Sequence, residues 1–268
     1  MILLGCVILV YAQQARYSFE ARSDLLYHVT MNFKGHLPIM GGLDGDAKVD
    51  LDIQASGKSN PDGYNVTADL ESFNLSYNGD SAIPITLEDA RKYFPATTYG
   101  VTPIGAVTGS DAKDIDEPLR LPGLDLAHIP RISFLPIRLP GPGDDGKSSY
   151  SYTEPSVGGL VTYSITPGLV TGDRESFQIS YQESYVTLED ESETVVKKAD
   201  AFRSVSTDDV GSGVANFSLS EHQFTKVQLH DVAVSRATEI DSHKISNRRL
   251  IRDVLITSEK VLPKPRHA

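Results

Sequence analysis

Two histidines and two aspartates in the first sixty residues are of the types that form metal sites. His28 and His36 lie eight residues apart on one predicted strand, so their side chains point to the same face. Asp50 or Asp52 would lie across the sheet from them, and imidazole with carboxylate is a usual donor set. No recognised ligand spacing accompanies these residues, and such residues are typical of a solvated strand face. We therefore predict no metal and no other cofactor.

Two acidic runs suggest a hard cation by residue type alone. Asp44-Gly45-Asp46, followed by Asp50 and Asp52, lacks the loop spacing and the closing glutamate of an EF-hand. The run from Glu189 to Glu193 is denser, and a run of like charges is usually a solvated loop. We interpret both runs as solvated surface.

The short motifs of common catalytic sites are absent from the sequence. There is no G-x-S-x-G elbow, no H-E-x-x-H pair and no phosphate-binding G-x-x-x-x-G-K-[ST]. Seven histidines and 36 acidic residues could still assemble a dispersed triad or carboxylate pair. We predict no catalytic residue and expect a non-catalytic protein, with a hydrolase of dispersed site as the alternative.

The elements that would position any site are predominantly strands. Apolar residues alternate with mostly polar ones through 25–34, 49–55 and 64–77, which is the period of a half-buried strand. Asn60-Pro61-Asp62-Gly63 and Asn78-Gly79 are strong turn signals. Residues 17–79 are therefore predicted to form a three-stranded meander.

The rest of the chain divides into a helix, a hairpin, an irregular segment and a second strand-rich half. Thr86 can cap a short helix over 86–93, which Pro95 ends, and 97–108 is predicted to form a hairpin. The organisation is then a strand-rich half at 13–108, a Pro/Gly-rich packed crossing segment at 109–159, a second strand-rich half at 160–262 and a disordered tail at 263–268. In the second half, strands are predicted at 160–165, 177–188, 195–205, 214–219, 225–238 and 249–261.

The predicted fold class is all-β, with mostly antiparallel, long amphipathic strands and one short helix near 86–93. Such strands can form a half-barrel, a flattened barrel or a sandwich. The apolar face of the meander would then be concave and could bind an acyl chain or another apolar ligand, or it could simply be the filled core. Its candidate ligand-binding residues are Tyr27, Val29, Met31, Phe33, Val49, Leu51, Tyr64 and Val66.

The N-terminus predicts an exported protein. Residues 2–12 form an uncharged apolar run that is too short for a stable transmembrane span, which needs roughly twenty residues. Val10 and Ala12 are small enough for signal cleavage, so 1–12 is interpreted as a signal peptide and the location as secreted or periplasmic. Leu3-Leu4-Gly5-Cys6 supports an alternative, a lipid anchor through Cys6.

The order of elements resembles that of uncharacterised secreted bacterial all-β proteins. The resemblance rests on the long strands after a signal peptide, the Thr86–Tyr93 helix and the hairpin around Val101–Val107. It implies an architecture similar to lipoprotein-carrier domains, in which a curved half-barrel sheet binds a lipid. No diagnostic motif accompanies it, so it assigns no site residue.

Composition excludes several partners. Among 268 residues, 40% are hydrophobic, enough for a buried core, and a single cysteine forms neither an internal disulfide nor a cysteine zinc site. A net charge of −11 disfavours nucleic acid and anionic membrane surfaces. The expected partners are therefore an apolar small molecule or, as the alternative, a protein of the cell envelope that pairs with an exposed sheet edge.

Overall fold

The computed structural model describes residues 15–20, 25–37, 43–79, 84–112, 129–144, 147–156, 159–190, 202–241 and 244–262. The predicted signal peptide at 1–12, including Cys6, lies outside these residues, and so does the predicted tail at 263–268. The acidic run at 189–193 is described only as far as Asp190.

One open antiparallel sheet contains every strand of the described chain. Its strand order is β5-β4-β3-β2-β1-β11-β10-β9-β8-β7-β6, so the first and last strands pair at its centre. The all-β prediction is confirmed, and the sheet is neither a sandwich nor a closed barrel. The strands are β1 Leu25–Leu37, β2 Leu43–Asn60, β3 Gly63–Tyr77, β4 Thr97–Val101, β5 Val107–Ser110, β6 Tyr150–Ser156, β7 Gly159–Thr171, β8 Arg174–Asp190, β9 Phe202–Ser218, β10 Gln223–Asp241 and β11 Lys244–Val261.

One predicted turn joins β2 to β3, and a second lies at the end of β3. Pro61 and Asp62 form the turn between β2 and β3, where the backbone NH of Asp62 is bonded to the Asn60 side chain. Asn78, with a φ of 50°, and Gly79 form the turn at the end of β3. Asparagine tolerates this left-handed conformation better than most residues, which is why Asn78 fits the end of β3.

The structure contains the predicted helix and a second one that was not predicted. α1 spans Leu87–Tyr93, and its cap Thr86 accepts a hydrogen bond from the backbone NH of Asp89 at 3.1 Å. α2 spans Ile129–Phe134 and, with β6, lies in the segment predicted to be irregular. Only one turn and a half long, α2 lacks the repeated apolar spacing that identifies a helix in sequence.

Two strand predictions were wrong in detail. Residues 15–20, here called the N-terminal arm, form no strand, although the meander was predicted to begin at residue 17 and its first strand begins at Leu25. β9 is one continuous strand that runs through Asp208, Asp209, Gly211 and Gly213, whereas separate strands were predicted at 195–205 and 214–219. Long pairings on both sides, with β8 and β10, hold β9 extended through these poor strand formers.

The N-terminal arm shows that the sheet is strongly curved. The backbone NH of Tyr17 donates to Pro103 O in the β4–β5 turn, and that of Ser18 donates to His222 O in the β9–β10 turn. Five strand spacings separate β4 from β10, which in a flat sheet is roughly 24 Å. Two neighbouring residues cannot bridge that distance, so the sheet bends around the arm as a half-barrel with a concave face.

Candidate functional site

The eight candidate ligand-binding residues share the concave face. Met31 pairs with Val49 and Val29 pairs with Leu51 across β1 and β2, because alternate residues of each strand point to the same side. Seven of the eight are buried and Tyr64 is half-buried. The structure therefore brings these residues together in one apolar surface; ligand binding by that surface stays a prediction.

Part of this surface is covered by α2 and the residues that follow it. α2 contacts strands on both sides of the sheet centre, β1–β3 and β10–β11. Phe134 and Leu139 are completely buried in the same core as the candidate residues. The segment is fixed by hydrogen bonds from Tyr150 Oη to Arg138 O at 2.6 Å and from Arg138 N to Tyr152 Oη at 2.9 Å. These contacts are mainly side-chain packing rather than strand pairing.

A row of tyrosines crosses β6, β7 and β8 on the same side of the sheet. Tyr152 stacks on Tyr163 with 5.0 Å between ring centroids, and Tyr163 lies 5.7 Å from Tyr181. The guanidinium of Arg138 lies 4.9 Å above the ring of Tyr152, which is a cation–π contact. Burial raises the pKa of Tyr163 to about 12, so its hydroxyl remains protonated and neutral at ordinary pH.

Buried charges continue this row across β8–β11. Tyr181 Oη donates to Asp231 Oδ2 at 2.7 Å, and Arg252 Nη2 lies 3.4 Å from Asp231 Oδ1 and 4.0 Å from Asp209 Oδ2. Glu183 pairs in register with Asp209 and is also buried. We call Tyr181, Glu183, Asp209, Asp231 and Arg252 the charged cluster.

The charged cluster contains three carboxyl groups and one guanidinium group, and one of the carboxyl groups, that of Asp209, retains its proton. Burial, above all, and the nearby charge of Asp231 raise the pKa of Asp209 to about 10, against the opposing effect of Arg252. A protonated Asp209 removes one of the negative charges from an environment where an unpaired charge is very costly. The concave face therefore has an apolar end and a polar end.

His28 and His36, the two histidines that a metal site would have required, contact different aspartates. His28 Nδ1 lies 2.8 Å from Asp52, and His28 Nε2 lies 3.9 Å from Asp50, on the solvated convex face. His36 contacts Asp44 instead, at 3.4 Å. No group of three or more metal-ligating side chains occurs among the described residues.

Sequence reasoning missed the charged cluster. The sequence of β10 contains one indication of the cluster. Asp231 lies on the buried face of the strand, where the alternate residues before and after it, Leu229 and Ala233, are apolar. A charge at a core position indicates a buried partner, but the partners lie on three other strands and have no fixed separation from it in the sequence.

Comparison with known proteins gives a structural likeness only. No protein-family model matches the chain, and no curated protein matches it. A solved structure of lipovitellin, from a study of its lipid–protein interactions, is similar over 94% of this chain with a TM-score of 0.56 and 11% sequence identity. This chain spans 27% of the length of that lipovitellin chain. At this identity, the likeness shows a shared fold, the extended antiparallel sheet.

Proposed function

We propose that this protein binds a lipid or similar apolar ligand on its concave face. The observation that carries the proposal is the continuous apolar surface that long strands on both sides of the sheet centre form inside the curve. The likeness to lipovitellin, a protein studied for its lipid contacts, supports the same conclusion. Small-molecule sites in proteins are concave and lined mainly by apolar side chains, which is the character of this surface.

Access to the surface requires displacement of the elements that cover it. α2 and the arm are held mainly by apolar side chains and a few hydrogen bonds. An acyl chain offers the same kind of apolar contact, so exchange of one for the other costs little burial. The ligand is therefore expected to replace part of this covering rather than to enter an open cleft.

Photo-crosslinking tests the proposal directly. The purified chain would be incubated with phosphatidylcholine vesicles that contain a phosphatidylcholine with a diazirine in its acyl chain, then irradiated and digested. We expect adducts on concave residues of β1 and β2, such as Met31 and Leu51. Absence of adducts, or adducts confined to the convex face, would contradict lipid binding at the concave face.

The convex face provides the matched control and the alternative function. Val210, Val214 and Ile251 are exposed there by 58%, 43% and 45%. Val210→Lys with Ile251→Lys should leave concave labelling unchanged. Exposed apolar side chains are also what an envelope interaction module would present, so labelling that these substitutions abolish would favour that alternative.

Export is a separate proposal. We propose that residues 1–12 are removed as a signal peptide and that the protein is secreted or periplasmic, with lipid anchoring at Cys6 as the alternative. Neither α1 nor α2 is long and apolar enough to cross a membrane, and the described residues contain no other helix. Intact mass of the protein from its native host distinguishes a chain that starts at Gln13 from a lipidated one that starts at Cys6.

A further inference from the structure

The backbone of the N-terminal arm is bound from two sides. The NH groups of Tyr17 and Ser18 donate to Pro103 O at 2.8 Å and His222 O at 3.2 Å, respectively. His222 Nδ1 lies 3.1 Å from Arg16 O, and Gln223 Nε2 donates to Ser18 O. Hydrogen bonds to an extended backbone are the way in which proteins bind added strands.

Aromatic side chains at alternate positions of the arm enter the core. Tyr17 lies 5.7 Å from both Phe217 and Phe224, and its hydroxyl donates to Ile137 O at 2.7 Å. Two residues later, Phe19 lies 6.0 Å from Phe134 and 5.6 Å from Tyr64. The intervening Ser18 is half-buried, so the arm is recognised through an aromatic-x-aromatic pattern.

The surface that receives the arm is shaped for it. A Cβ at Gly57 would lie 2.2 Å from the Cβ of Phe19, and a Cβ at Gly105 would lie 2.4 Å from the ring of Tyr17. Only glycine gives the arm this close approach. His222 adopts a left-handed φ of 58°, a strained conformation that occurs where its carbonyl and ring contact the arm.

The arm also contacts the candidate ligand site. Tyr64, one of the eight candidate residues, packs on Phe19. Gln223 accepts a 3.4 Å hydrogen bond from Tyr27, another candidate residue, while its amide NH₂ donates to the arm. The arm and an apolar ligand on the concave face therefore share contact residues.

We infer that the surface around the arm is a peptide-binding site for an extended aromatic-x-aromatic segment, and that residues 15–20 occupy it in competition with the apolar ligand. The residues that form this site are Gly57, Pro103, Gly105, His222 and Gln223. The peptide site stands on the contacts of the arm alone. The competition rests on the proposed lipid function.

Peptide exchange tests the site. A protease sequence inserted between Arg22 and Ser23 of the full chain allows the arm to be cut after folding, and a fluorescent peptide of residues 15–20 is then added. We expect saturable binding of the natural peptide. Its affinity should fall at least about tenfold in a peptide that carries both Tyr17→Ala and Phe19→Ala. A third peptide with Glu20→Gln should bind with unchanged affinity, since Glu20 is exposed. No exchange, or equal binding of all three peptides, would overturn the site.

Lipid labelling of the same samples tests the competition. We take the arm to be displaced in at most roughly one molecule in ten of the intact chain. Cutting and removing the arm should then raise diazirine-lipid labelling about tenfold. Added peptide should reverse this increase. The intact chain with Tyr17→Ala and Phe19→Ala should show the same gain, with circular dichroism to confirm folding. Equal labelling with and without the arm overturns the competition and leaves lipid binding standing. No labelling in any sample overturns lipid binding itself, while peptide exchange still decides the peptide site.

Discussion

The hydroxyl of Tyr181 donates a 2.7 Å hydrogen bond to Oδ2 of Asp231, fifty residues further along the chain. The bond crosses β9 at Gly211. Because Gly211 has no side chain, the Tyr181 ring can pack directly over the backbone of β9. It connects the row of tyrosines to the buried charges of β9–β11.

Removal of the Tyr181 hydroxyl should destabilise the fold. Tyr181→Phe leaves the buried carboxyl of Asp231 with one donor fewer, which costs about 1 to 3 kcal/mol. A double-mutant cycle with Asp231→Asn in urea unfolding measures the coupling between the two groups. Tyr64→Phe is the matched control, because that hydroxyl makes no hydrogen bond in the described chain and its loss should change stability little. Additive effects in the cycle would show that the bond does not contribute.

Stability should depend on pH through Asp209. Its pKa is raised in the folded protein to about 10, so its stabilising effect is complete below the unfolded value near 3.8 and is lost as pH rises toward 10. Between pH 5 and pH 8 the free energy of unfolding should fall by about 1 to 4 kcal/mol in the natural protein. Asp209→Asn should remove most of this slope.

The neighbouring Asp208 gives the control for that experiment. It is exposed, and hydrogen bonds from Arg236 and Ser184 lower its pKa, so it contributes a stabilising effect that is nearly complete above about pH 5. Asp208→Asn should leave the slope between pH 5 and pH 8 as it is in the natural protein. If Asp209→Asn behaves in the same way, the buried carboxyl does not retain its proton.

A methyl group at position 211 should displace Tyr181. The Cβ of Gly211→Ala would lie 1.9 Å from Cζ of that ring, so either the ring or the strand must move. We expect a loss of about 1 to 3 kcal/mol in chemical unfolding. Gly109→Ala has nothing within 4 Å of its added Cβ and should be close to neutral. Equal stability of the two variants would show that the ring has other space available.

Truncation of Phe134 should weaken the covering of the concave face. This side chain is completely buried between Phe19 and Tyr99, and its loss leaves a cavity that costs about 3 to 5 kcal/mol. Leu169→Ala, at a side chain that is 87% exposed, should cost less than about 0.5 kcal/mol. Thermal unfolding of both variants makes the comparison. A small effect of Phe134→Ala would show that α2 is only loosely attached.

Local features were predictable because each depends on neighbours in the chain. Alternation identified β1–β3, the Asn60–Gly63 segment identified their turn, and Thr86 identified the start of α1. The candidate residues from Tyr27 to Val66 were placed on one face for the same reason, since alternate side chains of a strand share a side. α2 is too short to show a helical period. β9 was not predicted as one strand because Asp208 and Asp209, which are poor strand formers, interrupt its alternation of apolar and polar residues.

The amino-acid sequence by itself determined the strand character of the chain, its acidic surface and which face of the meander is apolar. Only the tertiary structure decided that β11 lies beside β1, that the arm and α2 cover the concave face, and that Asp209, Asp231 and Arg252 meet inside it. The physical reason is that alternation is set residue by residue. Pairing of distant strands depends instead on the register and curvature of the whole sheet. Many antiparallel strand orders are equally compatible with the same pattern of apolar and polar residues, so the pattern does not select one of them.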